Sequence, residues 1–517
     1  MARDYRPLAR DQAMLLPLDM REWLAADHFV WFLLAVLDEF DVSGFEAGRR
    51  RGGVGRQGYD PRMLLALLIY GYSQGQRSSR RIEELCATDV AYRVICAQDP
   101  PDHTTLARFR QGHDTAIASL FVQVLELAGQ AGLGRVGVIA VDGTRVAANA
   151  SWGKNRRRSW LREQVDEVMA QAQRVDAEED VAFGPAESGS RVDPGWADPA
   201  TRTSKIKAAL ARADEVAEQR GEAPRARAEA WRQRVEQAEQ EHAEQRAAAQ
   251  RRHEDYQQAR AAAERGAGPK PTGRPAPPAD EAATTRRAAA TAQRARQRRD
   301  AGVAKDAAEQ AARDPVANLT DPESGWMPTG KGWIQGYNAQ LAVSEDQLVL
   351  GVQVTNATVD VDQFAPMLGL AAQGAEALDR GRAQRGVPAQ PIGQVLADAG
   401  YFCRRNLTLE GPDRLIAPAG RRRLEEAAQS SARAEDGVGN PAAVVDDPVA
   451  TMKARMRDPD QVAIYRRRGV IVEPVNGHLK DHHGLRQYAR RGTAACQAET
   501  ELAAITANLL KIYRHGD

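Results

Sequence analysis

The chain has 517 residues, enough for about two to four domains and a sizeable core, and its 71 Lys and Arg stand against 70 Asp and Glu, so global charge announces no polyanionic partner and any such signal must be local. Four scattered cysteines, Cys86, Cys96, Cys403 and Cys496, form no CxxC pair, which argues against a disulfide scaffold or a cysteine zinc site. The first residues lack a secretory apolar region, and the stretch from Trp23 to Leu37 is short and broken by Asp27 and His28, so a cytoplasmic protein without a membrane span is expected.

Residues 1–130 read as helical. In PRMLLALLIYGYSQG, Leu64, Leu65, Leu67 and Leu68 recur at helical spacing, and Pro61 suits a first turn. SSRRIEELCATDVAYRVIC repeats the pattern with Ser78 or Ser79 as cap, and DHTTLARFRQGH follows with Thr104 or Thr105 as cap. Arg80, Arg81, Arg108 and Arg110 are expected on the surface, where they read either as a DNA-binding face or as plain solvated charge.

The pattern changes over 131–154. Val136 to Val141 form a near-continuous apolar run, read as a buried strand that ends at Asp142 and turns at Gly143. Residues 155–315 are rich in Ala, Arg, Glu and Gln and poor in large apolar groups. They read as long exposed helices, which an antiparallel hairpin would accommodate, with a Pro/Gly-rich linker near 266–280. Strand signals return over 316–517. GYNAQLAVSEDQLVLGVQVT gives two strands around a Ser344–Gln347 turn, a helix starts near Asp360, Val395 to Ala397 run into Asp398, and 413–420 give one more short strand. Residues 421–460 read as polar and irregular, ahead of a basic segment and a closing helix, QAETELAAITANLLKIYR.

Two apolar strands far apart in sequence therefore each lead into an aspartate. Strand-end carboxylates of an α/β sheet face the crevice where ligands bind. Brought side by side, two carboxylates repel unless one protonates or a cation neutralises both, and hard oxygen ligands suit magnesium or manganese. Two such ions about 3.5–4 Å apart can stabilise both oxygens of a phosphodiester displacement. A lone strand-end aspartate is otherwise a turn residue, and the residues by themselves leave both readings open.

A series of longer motifs runs through most of the chain: DHTTLARFR at 102–110, VDGTRVAANAS at 141–151, DPESGWMPTGKGWIQGYNAQLAV at 321–343, VTNATVDVDQF at 354–364, VLADAGYF at 395–402 and YRRRGVIVEPVNGHLK at 465–480. In content and order they resemble the bacterial insertion-sequence transposases of the DDE type whose first two acidic motifs read VDGT and ADxGY. The resemblance implies an α/β fold: an RNase H-like catalytic core, a mixed sheet flanked by helices, built from 131–154 and 316–517. An N-terminal helical DNA-binding domain over 1–130 and a helical insertion over 155–315 complete the expected architecture.

Carried over residue by residue, the resemblance makes Asp142, Asp398 and Glu473 the catalytic and metal-binding acids. They would hold Mg2+ or Mn2+, as a pair of ions. Lys480, seven positions after Glu473, matches the family's E-x6-K spacing. Tyr465 and Arg468 sit one residue farther from the glutamate than the Y-x2-R-x3-E spacing of related groups. The implied activity is cleavage of double-stranded DNA at transposon ends and joining to target DNA, by a homodimer or larger assembly. Lys480, Arg486, Arg490, Arg491, Arg108 and Arg110 are the expected DNA contacts. Rival readings are a nuclease that cuts without joining and a catalytically silent DNA-binding relative.

Other residues carry two readings each. His478 and His482 have the spacing of helical zinc ligands but lack a third partner, so solvated or phosphate-contacting histidines are favoured. Trp326, Trp333 and Tyr337 would stack on splayed bases or pack in the core. Asp360 and Asp362 would add metal carboxylates, although a helix cap is the simpler role for Asp360. Pro474 disfavours helical backbone at Glu473 and suits a first turn, which would put Glu473 at a helix start.

Overall fold

The computed structural model describes residues 19–46, 58–167, 199–265, 267–272, 275–312, 315–330, 332–418 and 447–516. The chain divides into two compact units, residues 1–152 with 323–517 and residues 153–322.

Among its described residues the first unit opens with the helices α1 (Phe29–Glu39), α2 (Ser43–Glu46), α3 (Pro61–Ser73), α4 (Ser79–Thr88), α5 (Val90–Ile95), α6 (His103–Gln111) and α7 (Asp114–Gln130). Short polar side chains start most of them, because an oxygen one residue ahead of a helix satisfies amide groups that have no carbonyl partner. Asp60, Ser78 and Asp89 cap α3, α4 and α5 in this way, and Pro61 takes the first helical position of α3. The cap of α6 is Asp102, one carboxylate accepting from the amides of Thr104 and Thr105, so those threonines are donors rather than the expected caps.

A six-stranded mixed sheet follows. Strand β1 (Val138–Ala147) pairs antiparallel with β5 (Gly332–Ser344) and parallel with β7 (Gln394–Ala397), which pairs parallel with β8 (Asp413–Ile416); β4 (Gly325–Thr329) and β6 (Val349–Thr355) lie end to end along the far edge of β5. The order β6-β5-β1-β7-β8, antiparallel across the first three and parallel thereafter, is RNase H-like. The β5–β6 turn runs through Gln347 at φ 63°. Asp142 does not end its strand. It pairs with Leu341, and β1 continues to Ala147 because β5 supplies hydrogen-bond partners along that whole length. Gly143 is accordingly a strand residue. It is glycine because a Cβ there would run into the side chains of Asn338 and Asp360.

Helix α10 (Phe364–Gln384) covers the sheet and crosses α7 at close range. A Cβ on Gly381 would overlap the Glu126 carbonyl oxygen, and one on Gly129 would overlap the Leu378 carbonyl oxygen, so two glycines let the backbones meet. One hydrophobic core runs from Phe29 to Ile512, and the N-terminal helices share it with the sheet.

The chain closes with α11 (Arg404–Leu407), α12 (Pro448–Arg455), α13 (Pro459–Asp481) and α14 (Thr493–Gly516). Part of the expected irregular stretch over 421–460 is thus helical, started by two Asp-Pro pairs in which Asp447 and Asp458 cap and Pro448 and Pro459 take the first turn; the rest lies outside the described residues. Helix α13 also passes straight through Pro474, so Glu473 lies in mid-helix and not at a helix start. Proline cannot donate to the carbonyl four residues back, that of Val470. The Gln347 side chain donates to it instead at 2.9 Å, and Gln347 in turn accepts from Lys511 at 3.2 Å. A tertiary hydrogen bond replaces the missing helical one.

The second unit holds α8 (Pro199–Glu264), α9 (Ala283–Ala312) and a two-stranded sheet of β2 (Asn155–Arg157) and β3 (Val316–Asn318). Helices α8 and α9 run antiparallel, held by Arg296 with Glu239 and by Trp231, whose ring lies where a Cβ of Gly302 would be. Apolar burial in this unit is small among the described residues: clusters around Leu161 and Ile206 and around Ala249, Ala279 and Ala282, with Val235, Ala238 and Ala292 also buried.

Gly381→Ala forces one methyl into the α7 backbone and should lower stability by about 1–3 kcal/mol. Gly369→Ala, on the same helix with open space around it, should be neutral or slightly stabilising. Thermal unfolding of both variants checks this, and equal melting temperatures would contradict the close crossing.

Candidate active site

The register of two strands builds the site. Val141 on β1 pairs with Ala397 at the end of β7. Residues paired in parallel register point to one face, so the next step brings Asp398 beside Asp142 on that face. Each aspartate accepts an amide hydrogen bond from a glycine just after it: Asp142 from Gly143 at 3.0 Å and Asp398 from Gly400 at 2.8 Å. Burial pushes the Asp142 carboxyl up to about 6. Arg468 opposes that shift, while the negative charges of Asp398 and Asp360 add to it.

Helix α13 lies across this face. From it Asn476 donates to Asp142 Oδ2 at 3.3 Å, and Arg468 Nη1 lies 3.3 Å from the same oxygen. Arg468 Nη2 reaches to 3.8 Å from Glu473 Oε1, so one guanidinium stands between the first acid and the third. The Arg468 side chain is 17% exposed, and its Nη1 is buried without a well-aligned hydrogen bond. The Glu473 side chain is 61% exposed. Among the described residues no three His, Cys, Asp or Glu side chains stand together in metal-binding geometry. The structure therefore brings Asp142 and Asp398 together and links Glu473 to them through Arg468. That role for Arg468 was not legible from spacing; its position five residues before Glu473 was the available signal.

On the opposite face of β1, Arg145 pairs with Asp360 at 3.2 Å, and Asp360 accepts from Asn338 and Gln340, each at 2.7 Å. Gln340 accepts from the buried Tyr401 hydroxyl, tying the ADAGY segment to the centre of the sheet. Asp360 makes no capping hydrogen bond, so the expected cap is replaced by a role as the anion of this cluster. Asp362 is exposed and paired with Arg405. Arg145 and Asn476 went unread in the sequence, although each lies three positions after an acid, in VDGTR and VEPVN.

The expected basic contacts divide. Lys480 is half-buried. Burial first, then the neighbouring Arg486, holds its ammonium below the ordinary value, against the pull of Asp142 and Asp481. Arg486 is exposed and paired with Asp481, and Arg491 is exposed with Nε on the Asn149 carbonyl at 2.9 Å. Arg490 is turned inward onto Asp114 at 2.6 Å. Arg108 is exposed, but Arg110, expected beside it on the surface, is buried and donates to the Arg77 carbonyl at 2.8 Å. The i,i+2 spacing on α6 turns one arginine out and the other in. His478 stacks near His482 at 4.5 Å, while the neighbouring His483 is buried against the Tyr72 carbonyl. Tyr337 is a core residue, and Trp326 and Trp333 are exposed.

Two family models match the chain: Transposase domain (DUF772) over residues 18–112, and Transposase DDE domain over residues 440–513. The first covers α1–α6. The second covers α12, α13 and nearly all of α14, with Arg468, Glu473 and Lys480. No curated protein and no solved structure matches. Both matched models describe transposase domains, and they support an insertion-sequence transposase of the DDE type. No helix among the described residues is long and apolar enough to cross a membrane.

Because burial raises the Asp142 carboxyl above the ordinary 3.8 of an aspartate, the folded chain favours its protonated form. Ionisation then costs stability as pH climbs from about 4 to about 6. In EDTA, Asp142→Asn should raise the melting temperature at pH 8 by the equivalent of up to about 3 kcal/mol, with the gain vanishing towards pH 4. A gain larger at pH 4 than at pH 8 would reverse the sign assigned to Asp142.

Proposed function

We propose that this transposase binds double-stranded DNA at transposon ends, cuts it, and joins the freed 3′ hydroxyl to target DNA, using Asp142, Asp398 and Glu473. The observation that carries the reading is the pairing of Asp142 with Asp398 by the β1–β7 register, under a helix from the matched DDE domain. The residues fit a hard divalent cation. Two carboxylates sit side by side with one of them desolvated, and the Oδ1 of Asn476, on the helix that faces them, is buried without a partner. Mg2+ or Mn2+ held by the three acids would supply Lewis-acid stabilisation of the attacking and leaving oxygens.

The protein's own groups position and neutralise. The Asp360–Arg145 cluster and Tyr401 fix the strands that carry the two aspartates. Arg468 balances their charge until DNA arrives, and its guanidinium, like the Lys480 ammonium, then suits a phosphate. Cleavage and joining are both in-line displacements at phosphorus, so one arrangement of charges serves both. Lys480, Arg486 and Arg491 are proposed to follow the DNA backbone, with Arg108 on the N-terminal helices contacting the transposon end. A second subunit is proposed because a transposase must hold two ends at once.

Asp398→Asn should reduce cleavage of end-bearing DNA by roughly two orders of magnitude or more, in line with loss of a charge-stabilising group. Binding of the same DNA in EDTA should stay within about twofold. Cutting at the normal rate would remove Asp398 from the site. Lys480→Ala should weaken end binding and lower the slope of log affinity against log salt by about one unit, as expected for one lost phosphate contact. An unchanged slope with unchanged cleavage would leave Lys480 as surface only.

A further inference from the structure

The exposed tryptophans of the described residues form one group. Trp152, Trp326 and Trp333 are 49%, 45% and 59% exposed. Trp152 stacks on Trp326 with ring centres 4.9 Å apart and planes 17° from parallel, and Trp333 lies 6.3 Å from Trp326. The β4–β5 hairpin dictates this. Trp326 pairs with Gln335 and Pro328 with Trp333, so alternation puts Trp326, Pro328 and Trp333 on one face and sends Met327 into the core on the other. Three indoles left in water are costly surface, and the other large aromatics among the described residues are buried or half-buried.

Their position relative to the acids gives them an occupant. Trp326 lies one strand outward from Gln335, whose carbonyl accepts from the Ala148 amide. Ala148 is six residues along from Asp142, about 20 Å or six base-pair steps. Cations span that interval. Lys480 lies near Asp142, the Arg486 carbonyl accepts from the Ala147 amide, and Arg491 holds the Asn149 carbonyl. Two exposed arginines thus sit along this stretch, Arg486 with its guanidinium on Asp481 and Arg491 on the Asn149 carbonyl, with Trp152 three residues beyond Asn149.

We propose that Trp152, Trp326 and Trp333 are a stacking platform for unpaired nucleobases of a DNA strand whose phosphates lie on Arg486 and Arg491. The proposal rests on the DNA-acting reading above. Flat rings accept any base by its face, and a cationic track beside them holds the backbone, the combination that single-strand binding requires. A duplex, with its bases stacked on one another, would use the arginines alone.

The full-length protein is titrated in EDTA with a labelled fifteen-residue oligothymidylate and with a hairpin duplex of equal charge, reading anisotropy and tryptophan fluorescence. Oligothymidylate should quench the wild-type fluorescence. The double variant Trp326→Ala/Trp333→Ala should bind it on the order of tenfold or more weakly, with duplex affinity within about twofold. Trp326→Phe/Trp333→Phe should recover most of the loss, which also shows that the fold tolerates changes at these exposed positions. Unchanged oligothymidylate affinity in the alanine variant overturns the platform, and so does an equal loss for duplex. A lower oligomeric mass with DNA affinity intact also overturns it, in favour of a contact between copies of the chain. Wild-type protein that binds duplex but not oligothymidylate refutes the platform alone. Binding to neither refutes the DNA-acting reading as well.

Discussion

The parallel pairing of β1 with β7 is the constraint on which the rest of the site depends. It sets two aspartates side by side, one of them largely desolvated, while the cation of β1 itself, Arg145, is turned to Asp360. Coulomb repulsion and lost hydration then act together, and the Asp142 carboxyl rises to about 6. Several nearby groups answer that charge: the glycine amides after each acid, Asn476 from above, and Arg468 between Asp142 and Glu473.

The frame is held rigid by polar contacts that run through the sheet rather than by apolar packing alone. Asp360 collects donors from Arg145, Asn338 and Gln340, and Tyr401 closes on Gln340 from the second acidic motif. A part-buried anion with several charge-assisted partners is more expensive to disturb than a surface ion pair. The cluster therefore couples β1, β5 and the segment after β7 at the level of the acids. On the other side, α13 is kept continuous through Pro474 by Gln347, and that continuity gives Glu473, Asn476 and Lys480 a common helical register.

The N-terminal helices are tied into the same body. Gly129 and Gly381 bring α7 against α10, and α10 covers the sheet, so the region matched by one family model and that matched by the other share one core. The N-terminal helices and the strands that carry the two aspartates therefore belong to one packed body. The helical unit of residues 153–322 has little apolar burial of its own, and its α8–α9 pairing relies on ion pairs and short side chains.

Much was legible from local pattern, because local pattern is set by local physics. Apolar runs placed β1 and β7, motif order pointed to the transposase family, and a change of composition marked the charged helices. Asp398 after its strand followed from an apolar run ending in a polar residue. What stayed hidden depended on partners distant in sequence. Strand β1 outruns Asp142 because β5 is there to bond with it. Pro474 fails to break its helix because Gln347, well over a hundred residues earlier, takes the orphaned carbonyl. Asp360 is a cluster anion rather than a cap because Arg145 and Asn338 reach it first. Arg110 is inside and Arg108 outside because α6 packs on one face only. The sequence by itself determined which residue types were available and in what order. The pairing of strands and the packing of helices decided which of them share a charge, since desolvation and Coulomb energy depend on distances in space and not on positions along the chain.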